Sequence, residues 1–142
     1  MARFSDKSRI VLVVDDEPLL RLHAVDVFEQ AGCRTLQAAG AAEALAQLDA
    51  HPEITVLFTD IQMPGAMDGL GLARRLSERR PDIKVIITSC RIAPRSQDMP
   101  LRSRFISKPY DSGSIARMIR DLPVSGADSG PAQAEDRGEL LG

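Results

Sequence analysis

Apolar positions along the chain alternate between two patterns. Ile10–Val14 is a short, mostly β-branched run with no polar break, which suits a strand buried on both faces. Glu17-Pro18 then opens a helix, with Pro18 at its first position. Leu20, Ala24, Val27, Phe28 and Ala31 give that helix one apolar face, and Gly32 stops it. Arg34–Ala39 reads as a second strand, and Ala41–His51 as a helix with Ala44, Leu45 and Leu48 inward. Ile54–Thr59 is a third strand. A loop with Pro64, Gly65 and Gly69 leads into a helix from Leu70 to about Arg80. Ile83–Thr88 and Arg104–Ser107 are the fourth and fifth strands. Ser112–Leu122 is the last helix, with Ile115, Met118, Ile119 and Leu122 inward.

Strands and helices thus alternate, with one weak helix between the fourth and fifth strands. Such alternation over short links implies a parallel sheet covered on both faces. Function in such sheets sits at the carboxyl ends of the strands. Asp15-Asp16-Glu17 follow the first strand, Asp60 the third, Thr88-Ser89 end the fourth, and Lys108-Pro109 follow the fifth.

Composition narrows the class. With 142 residues, 44% hydrophobic and 27% charged, the chain fits one globular domain. A net charge of −2 excludes a generically basic nucleic-acid or membrane binder. Cys33 and Cys90 have neither metal-ligand spacing nor the density of a secreted disulfide scaffold. No apolar run approaches a signal or membrane segment, so a cytoplasmic protein is expected. Residues 1–8 read as a polar extension. Residues 123–142 read as a disordered tail, in which Asp128, Glu135, Asp136 and Glu139 oppose only Arg137. The domain is expected over 9–122.

The strand-end residues carry the chemistry. Two carboxylates about 5 Å apart repel by roughly 3 kcal/mol at an effective dielectric of about 20. Asp15, Asp16 and Asp60 therefore call for positive charge among them. Lys108 can answer one carboxylate, and a hard divalent cation with oxygen ligands, such as Mg²⁺, can answer the rest. A nucleophilic Asp, a metal, a Lys and a hydroxyl together suit phosphoryl transfer onto a carboxylate. Each feature alone has a plainer reading as a helix N-terminus, a cap or a turn. Their coincidence at four strand ends gives the specificity.

The set Val14-Asp15-Asp16, Thr59-Asp60-Ile61-Gln62-Met63-Pro64 with Asp68-Gly69, Thr88-Ser89 and Lys108-Pro109 resembles the receiver domain of bacterial two-component response regulators, in particular the stand-alone, chemotaxis-regulator-like kind. The resemblance covers about residues 9 to 122. It implies a five-stranded, doubly wound, flavodoxin-like α/β fold with strand order 2-1-3-4-5. It makes Asp60 the phosphoacceptor, and Asp15, Asp16, Asp60 and the backbone carbonyl of Gln62 the Mg²⁺ ligands. Thr88 and Lys108 would engage the phosphoryl group, and Thr88 with Phe105 would form the conformational switch. The implied donor is a histidine kinase or histidine phosphotransfer protein. The output would be contact with a downstream protein or phosphorelay, not dedicated enzymatic turnover and not direct nucleic-acid or membrane binding.

Competing functions fit less well. A haloacid-dehalogenase-like phosphatase wants a second acid two residues after its nucleophile, where Gln62 stands. A flavodoxin-type cofactor binder wants a phosphate-cradling loop where Asp15-Asp16-Glu17 would repel phosphate. A pseudo-receiver would have lost part of the acid set.

The sequence also departs from the common family pattern. The loop from Pro64 to Gly69 reads one residue long, and the interval from Thr88 to Lys108 is slightly short. Pro94 and Pro100 interrupt the segment of the fourth helix, so a degenerate, short, mobile or non-helical stretch is expected over 91–104. Arg91, Arg95, Arg102 and Arg104 make this region basic, which with the degenerate helix predicts a monomer. His23 is expected half-buried on the apolar face of the first helix, and Cys90 is expected to pack. Leu19 and Leu22 flank the acidic edge, where the resemblance places docking of a kinase helix.

Overall fold

The computed structural model describes residues 9–63, 65, 67–89, 99 and 103–121. Five parallel strands form one sheet: β1 (Ile10–Val14), β2 (Arg34–Ala38), β3 (Val56–Asp60), β4 (Lys84–Ser89) and β5 (Arg104–Ser107). Their order is β2-β1-β3-β4-β5. The four helices of the described residues are α1 (Pro18–Gln30), α2 (Ala41–Ala50), α3 (Gly69–Arg79) and α4 (Ser112–Asp121). The alternation implies the parallel sheet covered on both faces, and the receiver resemblance implies this doubly wound flavodoxin-like order.

Alternate side chains divide the core. Leu12, Val14, Leu57, Val85 and Ile87 pack with Ala44, Leu48, Leu72 and Leu76 of α2 and α3 on one face. Val11, Val13, Val56, Phe58 and Ile86 pack with Ala24, Val27, Phe28, Ile115 and Ile119 of α1 and α4 on the other. The inner strands are covered on both sides, and so they read in the sequence as unbroken apolar runs. The edge strands β2 and β5 are only partly covered.

Several expectations need correction. Leu20 is 44% exposed rather than inward, and His23 is exposed rather than half-buried. The buried stripe of α1 begins at Ala24, because the first turns overhang the sheet edge. Ile54 is buried but stands before β3, its N–H donating to His51 in a turn. Asp60 is the last residue of β3, not a loop residue after it. Ser89 belongs to β4, β2 ends at Ala38, and α3 starts at Gly69 with the Asp68 carboxylate capping the Gly71 N–H. The expectations for 1–8, Cys90, Leu122, the tail and the segment between β4 and β5 (apart from Met99 and Ser103) concern positions outside the described residues.

Candidate phosphoacceptor site

The parallel register brings the expected residues to one edge. Val14 pairs with Thr59, and Asp60 pairs with Thr88. The backbone N–H of Ile61 donates to the Thr88 carbonyl, and that of Lys108 donates to the Ser89 carbonyl. The ends of β3, β4 and β5 are therefore tied to one another by main chain, which leaves little freedom for the side chains they carry.

At this edge one carboxylate oxygen each of Asp15, Asp16 and Asp60 lies within 4.8 Å of the others. Asp15 is buried, Asp60 is part-buried and Asp16 is intermediate. The Lys108 ammonium stands 3.2 Å from Asp60 Oδ2 and 3.6 Å from Asp15 Oδ2. Asp15 Oδ1 accepts from the Glu17 backbone N–H at 2.9 Å. Asp60 Oδ1 accepts a longer bond, 3.4 Å, from the Gln62 N–H.

Burial pushes the Asp15 carboxyl above the usual carboxylate range. The Glu17 N–H and the Lys108 charge pull it down, and the neighbouring Asp60 and Asp16 charges push it up. Burial is the largest of these influences, and three carboxylates meet the one Lys108 ammonium here. A convergent set of hard oxygen donors with surplus negative charge fits a Mg²⁺-sized cation, which takes few protein carboxylates and keeps room for further oxygens. The Thr88 hydroxyl is buried and finds no hydrogen-bond partner among the described residues. An unpaired buried hydroxyl is costly, and an incoming acceptor oxygen would relieve it.

Phe105 lies opposite Ile87 in the register and packs, partly buried, on the core face shared with α2 and α3.

Tyr110 and Arg21 escaped the sequence reading, and Gly69, quoted there within the Asp68-Gly69 motif, was read without its packing role. Tyr110 packs edge-on against Phe58 at 5.5 Å and lies 5.9 Å from the His23 ring. Burial, with help from the Asp15 and Asp60 charges, pushes its phenol well above the usual range, so it stays protonated. Arg21 reaches back from α1, its Nη1 donating to the Asp15 carbonyl at 2.8 Å. Gly69 approaches the Asp60 and Ile61 backbone so closely that a side chain would not fit. The available signal for Tyr110 was its position directly after Lys108-Pro109, the peptide bond of which is cis, and for Gly69 it was the Asp68-Gly69 motif.

The family model of the response regulator receiver domain matches residues 11–120. The chain belongs to this family. It is 32% identical over 121 residues to the response regulator receiver protein CpdR of Brucella abortus, an alignment covering 82% of this chain and 98% of that protein. It is 29% identical to the sporulation initiation phosphotransferase F of Bacillus subtilis, covering 80% of this chain and 94% of that one. The crystal structure of the response regulator TrrA from Thermotoga maritima, in complex with Mg²⁺ and BeF, superposes with a TM-score of 0.69 at 24% identity and covers 80% of this chain and 98% of that one. This receiver domain is a phosphoacceptor of two-component signalling.

Proposed function

We propose that the receiver unit spans 9–122 and takes a phosphoryl group onto Asp60 from a phosphohistidine of a histidine kinase or phosphotransfer protein. The observation that carries this reading is the Asp60 carboxylate, 3.2 Å from the Lys108 ammonium and within 4.8 Å of Asp15 and Asp16 at the open strand edge. A carboxylate oxygen of Asp60 attacks phosphorus as the phosphorus–nitrogen bond of the donor breaks, leaving an acyl phosphate and a neutral histidine after protonation. Lys108 binds a phosphoryl oxygen in place of Asp60 Oδ2, and the Thr88 hydroxyl donates to another. Asp15, Asp16, Asp60 and the Gln62 carbonyl would hold Mg²⁺, which supplies charge neutralisation at the phosphoryl oxygens when bound. The movement of Thr88 toward the phosphoryl group is coupled to Phe105 on the neighbouring strand β5, opposite Ile87.

Contact with partners is supported by Leu19, Leu20 and Leu22, which are 79%, 44% and 52% exposed on the turns of α1 next to the acids. A monomer is supported by the exposed Arg104, Arg117 and Arg120 on β5 and α4, which would repel across a two-fold axis built from that face. The protein serves as a signalling phosphoacceptor rather than a dedicated phosphatase, since Gln62 cannot act as a general acid.

Mass spectrometry after treatment with acetyl phosphate tests the reading. A single phosphoryl adduct mapping to Asp60, dependent on Mg²⁺, is expected. An adduct elsewhere, or none, would overturn it.

A further inference from the structure

We infer that Arg21 is a positioning residue for the metal-binding acids, acting through the backbone of Asp15. The inference rests on the proposed phosphoacceptor role of the site. Arg21 lies one helical turn after Glu17, whose carbonyl accepts its N–H at 2.9 Å. Its side chain turns back along α1 toward the strand edge. Nη1 donates to the Asp15 carbonyl at 2.8 Å, and Nε donates to Gln37 Oε1 at 3.0 Å. Both acceptors are neutral oxygens, and they sit on different elements. Gln37 belongs to β2, and its carbonyl in turn accepts from the Gln47 amide of α2 at 3.0 Å.

These bonds leave Asp15 one free direction. Its N–H is held by the Ala38 carbonyl at 3.2 Å, and its carbonyl by Arg21. Oδ1 is occupied by the Glu17 N–H, and Oδ2 points toward Lys108. The guanidinium is a rigid planar fork, so its two donors fix the Asp15 carbonyl relative to β2, a constraint that a single-point cation cannot impose. Its charge stands behind the acid, on the backbone side. Lys108 balances the cluster from the front, where a metal and phosphoryl oxygens would bind. Arg21 can therefore steady the acidic loop without competing for the place of the cation. Groups that orient metal ligands in this way commonly tune affinity more than chemistry.

Calorimetric Mg²⁺ titration of the full chain, together with acetyl-phosphate phosphorylation rates across Mg²⁺ concentrations, tests the inference. Arg21→Ala is expected to raise the Mg²⁺ half-saturation point by about tenfold. The phosphorylation rate at saturating Mg²⁺ should stay near that of the wild type. Gln37→Ala should shift the midpoint in the same direction, and should add little in the Arg21→Ala background. Arg21→Lys should restore only part of the affinity. Leu48→Ala, which hollows the core under α2, should lower the melting temperature yet leave the Mg²⁺ midpoint in place. A wild-type midpoint in Arg21→Ala, or full additivity of the two changes, overturns the inference. If Arg21→Ala does not fold, an unchanged midpoint in both Gln37→Ala and Arg21→Lys overturns it. A wild type that binds no Mg²⁺ overturns the reading of the site itself, and the inference with it.

Discussion

Lys108 reaches two acids at once, standing 3.2 Å from Asp60 Oδ2 and 3.6 Å from Asp15 Oδ2. One ammonium thus balances carboxylates from the ends of two different strands. Replacing Lys108 with Met keeps the length of the stem and removes the charge. Asp15 and Asp60 then face each other uncompensated, and stability without divalent cation should fall by about 1–3 kcal/mol. Phosphorylation from a small donor should slow by about 100-fold, as when a preorganised donor to a transition-state oxygen is lost. Urea unfolding and initial rates with acetyl phosphate measure the two effects. A variant phosphorylated at the wild-type rate would remove Lys108 from the chemistry.

Asp60→Asn is expected to separate chemistry from folding. The amide is nearly isosteric, and its oxygen can still accept from Lys108. One of three mutually repelling charges disappears, so stability should be unchanged or higher. Phosphorylation should be abolished. Thermal melting and phosphoprotein detection after incubation with a phosphodonor give both readouts, and continued label uptake would disqualify Asp60.

The buried Asp15 predicts a definite pH dependence. Its carboxyl is raised, chiefly by burial, so the folded state holds this proton more tightly than the unfolded chain does. Stability from this group therefore falls as pH rises from about 4, the ordinary carboxylate value, through the raised folded value. Asp111 and Glu53 work in the opposite sense. Backbone hydrogen bonds hold both below the usual range, so their contribution is present above that range and lost on acidification. Both remain in an Asp15→Asn variant and cancel in the comparison with wild type. Without Mg²⁺, Asp15→Asn should be more stable than wild type at neutral pH, and the difference should vanish toward pH of about 4. Added Mg²⁺ should stabilise only the wild type. A constant difference across pH would show that Asp15 is not the titrating group.

Much of this arrangement was legible because it depends on patterns the sequence carries directly. The β1 residues Ile10–Val14 are all buried, and a strand covered on both faces reads as an unbroken apolar run. The parallel topology then forces Asp15, Asp60, Thr88 and Lys108 to one edge, whatever the details of packing. Boundaries were less legible. Ile54 is apolar and buried but is held in a turn by a bond to His51, and apolar pattern alone cannot distinguish that from a strand. Leu20 and His23 follow the helical period of α1, yet they lie in its first turns, before the buried stripe begins at Ala24, and the period does not encode where a helix overhangs its support. Arg21, Tyr110 and the close packing of Gly69 were illegible for a different reason. Their roles depend on side-chain direction and backbone approach, which residue spacing does not record.

Gly69 supplies the last prediction. It opens α3 and is buried, and its N–H donates to the Ile61 carbonyl at 2.8 Å. A Cβ at this position would overlap the Asp60 carbonyl oxygen, and would stand 2.8 Å from the Asp60 carbonyl carbon and 2.9 Å from the Ile61 Cα. These are backbone atoms at the end of β3, so they cannot swing aside as the tip of a flexible side chain can. Either α3 must lift or the residue bearing the acceptor carboxylate must move. Overpacking of this kind costs about 1–3 kcal/mol. Because the displaced backbone is that of Asp60 itself, Gly69→Ala should also slow phosphorylation and weaken Mg²⁺ binding. Gly40 provides the contrast. Its backbone is extended, with φ of −175°, and a Cβ there meets nothing within 4 Å. Gly40→Ala should cost less than about 1 kcal/mol, the range of helix-cap changes, and leave phosphorylation unaltered. Denaturant unfolding and phosphorylation rates of the two variants, measured side by side, decide the matter. Equal behaviour of Gly69→Ala and Gly40→Ala in both assays would show that α3 does not press on the acceptor strand in solution.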